Sequence, residues 1–294
     1  MVALLVLGCS GEAPALGTNA SESASESESE SESESASESA SASESEAESE
    51  AESEAESESE ALVVGTRELR LRHASHAVPS DSPHALLHVP EEATRTTVVF
   101  LHGWSGCVRV LARPGHVSCA RRIRAEPGWN LLGARGASRS RFLIPQLAFR
   151  AREGSPGRFR EPAFAPAFLD ELGLSDGPLI LVAHSAGFES ALAWLRSEAG
   201  PRVRAVVLFD ALYAGTHAFA EWVAEAPDRR LVSYVIGNGR TRRENERLRE
   251  VATARGLGIS ATLADDAPIR IVAGRAAHGD LPARHLAEVL RALE

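Results

Sequence analysis

Ser185 stands where an apolar run, Pro178-Leu-Ile-Leu-Val-Ala-His184, stops and an alanine-rich helical pattern begins. A serine at such a junction is a candidate nucleophile. On a sharp strand-to-helix turn the hydroxyl points out of the sheet, and the next helix aims its first N–H groups at the same spot. The turn demands small neighbours, and Ala183, Ala186 and Gly187 supply them. The pattern departs from G-x-S-x-G only in carrying Ala183 at the first glycine. A serine that merely caps a helix would look the same locally, so partners elsewhere in the chain must decide.

Three further segments offer such partners. Thr96–Leu101 is a run of β-branched and aliphatic residues followed by His102-Gly103-Trp104-Ser105-Gly106. A glycine-rich turn after a strand lets the backbone approach an oxyanion closely, so the N–H groups of Trp104 and Ala186 are the candidate donors. A plain tight turn is the competing reading of this loop. Val203–Phe209 reads as a strand ending on Asp210, and Ile269–Ala273 as a last strand followed by a loop that carries His278. An acid, a base and a nucleophile each just past a strand would meet at one edge of a parallel sheet. Asp210 could instead be a turn former, and His278 an exposed loop histidine. Asp228, Asp265 and Asp266 are alternative acids, but each precedes its strand and so falls on the opposite edge. His184 points away from its neighbour Ser185 and reads as a packing residue.

The order Ser185, Asp210, His278, together with His102-Gly103, Ala183 to Gly187 and His278-Gly279, resembles the α/β-hydrolases of the serine esterase and lipase type. The resemblance spans residues from about 84 to 294. It implies a Ser185–His278–Asp210 triad that needs no cofactor, and hydrolysis of carboxylic esters through an acyl-enzyme. An amidase or peptidase using the same triad, or a binding protein with a degenerate site, would carry the same motifs. In that family the acid more often follows the next strand, here Leu231–Ile236, yet the loop beyond it is Gly237-Asn238-Gly239 with no carboxylate. Asp210 occupies the variant position, after the preceding strand.

Composition divides the chain. Residues 21–60 contain only Ser, Glu and Ala, with 16 Glu and no positive charge, so that stretch cannot form a core and reads as a disordered tether. The domains expected are residues 1–9 as signal and lipidation site, 10–60 as tether and 61–294 as the globular part. Residues 61–294 carry a net charge of +7 against −10 for the whole chain, and every basic residue is arginine. No alternation of aromatic and basic residues suggests nucleic acid. Met1 to Ser10 is an apolar run ending in Gly8-Cys9, which resembles the lipobox of bacterial lipoproteins. It implies an exported protein tethered to a membrane by lipid on Cys9, and the hydrolase resemblance implies that its substrates are small or lipid-like esters. That leaves Cys107 and Cys119 to pair in an oxidising compartment, or to remain free thiols in a reducing one. No His/Cys spacing fits a metal.

The elements that must position these residues follow from periodicity. Strands are expected near 69–72, 86–89, 98–101, 141–144, 179–183, 203–209, 231–236 and 269–272, with helices near 164–172, 187–198, 218–226, 242–255 and 283–293. Such alternation predicts a mostly parallel sheet of about eight strands with helices on both faces. No insertion long enough for a large cap separates Asp210 from Leu231. Trp104, Phe188 and Tyr213 lie beside the motifs and are candidates to line an acyl pocket.

Overall fold

The computed structural model describes residues 62–103, 106–112, 129–147 and 155–294, all within the compact unit Ser57–Glu294. The strands are β1 (Gly65–Leu69), β2 (Ala85–Val89), β3 (Thr97–Leu101), β4 (Arg141–Pro145), β5 (Leu179–His184), β6 (Val203–Phe209), β7 (Arg230–Val235), β8 (Ile259–Ser260) and β9 (Ile269–Ala273). The helices are α1 (Val108–Ala112), α2 (Leu131–Ala134), α3 (Phe164–Glu171), α4 (Phe188–Arg196), α5 (Thr216–Ala224), α6 (Arg240–Ala254) and α7 (Leu281–Arg291). One sheet runs β1-β2-β4-β3-β5-β6-β7-β9-β8. Only the β1/β2 and β2/β4 pairings are antiparallel. This is the α/β-hydrolase architecture implied by the motifs.

Strands β3 and β5 are buried at every position, as befits strands covered on both faces. Alternate residues feed two cores. Val99, Leu101, Leu181, Ala183, Val206 and Leu208 pack with Phe168, Trp194, Phe219 and Leu248 of α3, α4, α5 and α6. Val98, Phe100, Val182, Val207 and Phe209 pack with Val108, Leu131, Leu286 and Val289 of α1, α2 and α7. Each Val, Leu or Phe side chain among them, fully buried, stabilises the fold by about 1.5–3 kcal/mol. The sheet is thereby fixed as a rigid platform for whatever its C-terminal edge carries.

Three details depart from the sequence reading. The first strand lies at Gly65–Leu69, not near 69–72, because past Leu69 the Leu71 N–H is taken by the His84 ring rather than by a strand. Strand β8 adds a short parallel edge beside β9, giving nine strands; its two residues are too few to show a period. Between β3 and β4, where no helix was expected, α1 and α2 form single short turns. The connection from β6 to β7 holds only the nine-residue α5, so no cap domain is inserted there.

Candidate active site

Strand β5 delivers Ser185 and strand β6 delivers Asp210. Their register pairs His184 with Phe209, so the serine and the aspartate are the next residues on neighbouring strands. Among the described residues these two are also the only non-glycine residues with positive φ, 54° at Ser185 and 44° at Asp210. Left-handed backbone at a non-glycine residue is uncommon and costs on the order of 1–3 kcal/mol. The surrounding structure must hold it in place.

At Ser185 that holding is steric. Gly187 lies so close to the end of β3 that a Cβ on it would stand 2.1 Å from the Leu101 carbonyl oxygen. Gly103 lies against Ser185 itself: a Cβ there would be 2.9 Å from Ser185 Cβ and 3.4 Å from its Oγ. Both glycines are therefore required by contact. Ala183, in contrast, is fully buried in the core, and a methyl group fits where the usual motif has glycine. Ala186 sits in the tight turn Ser185–Gly187 that opens α4. Trp104, the other candidate oxyanion donor, lies outside the described residues.

The loop bearing Gly103 is braced by a buried imidazole. His102 Nδ1 donates to the Gly103 carbonyl at 2.8 Å, and its Nε2 accepts from the Leu147 N–H at 2.9 Å. Burial pushes its pKa down to about 4, so this ring is neutral and both nitrogens serve the backbone. Gln146 completes the clamp by donating to the carbonyls of Gly106 and Leu147 and accepting from the Val108 N–H. It follows β4 directly. A polar residue at the end of an apolar strand was the signal that would have revealed it.

Asp210 is 6% exposed and its carboxylate accepts from three donors. His278 Nδ1 stands 2.7 Å from Oδ2, and the Thr241 hydroxyl donates to Oδ1 at 2.5 Å. The Ile236 N–H also bonds the carboxylate. Burial alone would raise the carboxyl pKa, but the bonds from His278 and Thr241 outweigh it and hold it below the ordinary value. A carboxylate only accepts, so His278 Nδ1 keeps its proton and Nε2 presents a lone pair. No Ser185–His278 hydrogen bond is formed among the described residues.

The loop carrying His278 is pinned twice more. His184 Nε2 donates to the His278 carbonyl at 3.0 Å, and its ring lies 4.6 Å from that of His278. Trp129 packs edge-on to His184 at 4.9 Å and donates its indole N–H to the Gly279 carbonyl. Burial, then the neighbouring His278, lowers the His184 pKa to about 3, so His184 is neutral and a packing and positioning residue, as expected. Trp129 was not foreseen, lying as it does at the end of an Arg-, Pro- and Gly-rich stretch.

Tyr213 reaches Ser185 from the turn after Asp210. Burial and then the Asp210 charge push its phenol pKa up, while an interaction with the Ser185 hydroxyl acts the other way. Its ring lies 6.0 Å from that of Phe188. Asp228 is tied to Arg204, Asp265 to Ser260, and Asp266 to Arg230 and Arg270. None of these alternative acids pairs with His278. Cys107 is buried and disulfide-bonded; Cys119, its expected partner, lies outside the described residues, as does Cys9.

No protein-family model matches the chain, and no curated protein matches its sequence. Solved structures do resemble it. A putative esterase from Staphylococcus aureus shares 9% identity at a TM-score of 0.48, over 79% of this chain and 84% of that one. A double mutant of the esterase E40 shares 15% at 0.47, over 78% and 84%. A hormone-sensitive lipase from a metagenome library shares 10% at 0.45, over 78% and 85%. At these identities no residue role transfers, and function rests on the geometry of the site.

Proposed function

We propose that the chain is a serine hydrolase that cleaves carboxylic esters through an acyl-enzyme. The observation that supports this most is the placement of the two left-handed residues, Ser185 and Asp210, on adjacent strand ends, with Asp210 bonded to His278. Strain concentrated at two reactive side chains is a mark of a functional site.

In this reading Ser185 Oγ attacks the ester carbonyl while His278 Nε2 takes its proton. The carbonyl π pair moves to oxygen, and the N–H groups of Ala186 and Trp104 receive the resulting charge. Collapse expels the alkoxide, which takes the proton back from His278 and leaves an acyl group on Ser185. Water then repeats both steps and releases the acid. Asp210 holds the imidazole tautomer and offsets its charge. Phe188 and Tyr213 form one wall of the acyl pocket.

Fluorophosphonate labelling of the full-length protein, with the adduct mapped by mass spectrometry, tests the nucleophile. The expected result is a single adduct on Ser185, lost in His278→Ala; no adduct on folded protein would defeat the proposal. Parallel chromogenic esters and anilides decide the substrate class, and turnover of anilides at the ester rate would make the enzyme an amidase. The lipobox resemblance extends the proposal to an exported protein anchored through Cys9, with Cys9→Ser expected to move it from membrane to soluble fraction.

A further inference from the structure

We infer that Thr241 is a positioning residue of the acid: its hydroxyl holds Oδ1 of Asp210 so that Oδ2 faces His278. The inference rests on the serine-hydrolase reading above and names a role that no motif in the chain announces.

Asp210 sits in a place unfavourable to a charge. It is almost fully buried and in a left-handed conformation, and only donors can keep a carboxylate ionised there. One oxygen is committed to the imidazole. The other takes the hydroxyl of Thr241, which lies 3% exposed and donates over 2.5 Å; the Ile236 N–H also meets the carboxylate, and Thr241 is the side chain that fixes Oδ1. A carboxylate held through one oxygen can rotate about its terminal bond, since that torsion is broad and two-fold. Held through both, it cannot.

Thr241 is itself fixed. It lies in the first turn of α6, a helix of 15 residues, whose positive end favours a nearby carboxylate. Four residues on, the Asn245 side-chain amide donates to the Thr241 carbonyl at 2.8 Å. A threonine in a helix is confined to two main χ1 rotamers, and the bond to Oδ1 fixes the one that Thr241 adopts. The other titratable groups around the carboxylate are His278, His184 and Tyr213. None of them is bonded to Oδ1, so none replaces the threonine.

The test compares full-length wild type with Thr241→Val, which keeps the shape, and Thr241→Ser, which keeps the hydroxyl. The readouts are p-nitrophenyl acetate kinetics from pH 5 to 9 and the proton resonance of His278 Nδ1–H. Loss of a hydrogen bond to a charged group predicts a kcat about tenfold to a hundredfold lower in Thr241→Val, with KM unchanged. With one donor removed, the carboxylate charge falls more fully on the imidazole. The acid limb of kcat therefore moves to higher pH and the Nδ1–H resonance shifts, while Thr241→Ser restores both. Wild-type kinetics in Thr241→Val, an unmoved pH limb and resonance, or a Thr241→Ser no better than Thr241→Val would each overturn the inference. Wild-type turnover that survives Ser185→Ala would instead refute the serine-hydrolase reading. The resonance still decides the role of Thr241 in that case, because it needs no turnover.

Discussion

Acid should unfold this protein through two imidazoles that brace its site. His102 and His184 are both neutral in the fold, with pKa values lowered to about 4 and about 3, whereas an unfolded chain gives histidine about 6.5. The folded values lie below the unfolded ones, so between them the unfolded state binds more protons and stability rises with pH. Stability is full above about pH 6.5 and is lost as the pH falls toward 4. Each residue removes about 1.4 kcal/mol per pH unit across that window. At pH 4.5 the pair together costs on the order of 5 kcal/mol, comparable with the whole stability of a small domain. His76 and His84, also lowered chiefly by burial, add in the same direction. The reason is visible at His102, where a second ring proton would face the Leu147 N–H that now donates to Nε2. Urea unfolding followed by circular dichroism at half-unit steps from pH 7.5 to 4.5 measures the slope. In His102→Gln the slope should fall by about one proton's worth, about 1.4 kcal/mol per unit. An unfolding free energy that stays level from pH 7 to 5, or a His102→Gln slope equal to wild type, would refute the reasoning.

Other outcomes follow from single contacts. Ser185→Ala and His278→Ala should each abolish ester turnover in a chromogenic assay. Asp210→Asn, which keeps the shape but stabilises the wrong imidazole tautomer, should reduce kcat by about 10³–10⁴, and full activity in that variant would remove Asp210 from the triad. Gly187→Ala drives a methyl group into the Leu101 carbonyl and should destabilise the fold by about 3 kcal/mol or more in denaturant. Gln146→Ala frees the backbone carbonyls of Gly106 and Leu147 and should slow turnover with little change in KM. Non-reducing peptide mapping should find Cys107 joined to Cys119, and a Cys9–Cys107 peptide would contradict that pairing.

Much of the site was legible because it is written in local patterns. Small residues about Ser185, a strand running into Asp210 and a histidine beyond the last strand are features of adjacent positions, and a parallel sheet brings such ends together whatever fills its faces. Asp228, Asp265 and Asp266 were available as alternative acids from sequence; of the four carboxylates, Asp210 is the one that register sets beside Ser185, 2.7 Å from His278. Edges were read less well than the centre. Strand β8 and the bounds of β1 depend on a neighbour's hydrogen bonds more than on their own periodicity.

The sequence by itself determined the tight turn at Ser185, the alternation that makes a parallel sheet, and the order of Ser185, Asp210 and His278 along the chain. Only the tertiary structure brought Thr241 to Asp210 across 31 positions and Trp129 to Gly279 across 150. Periodicity and steric demand are properties of neighbours in the chain. Which donor satisfies a buried carboxylate or carbonyl depends on how a crossover helix or loop packs against a strand end, and no residue spacing records that.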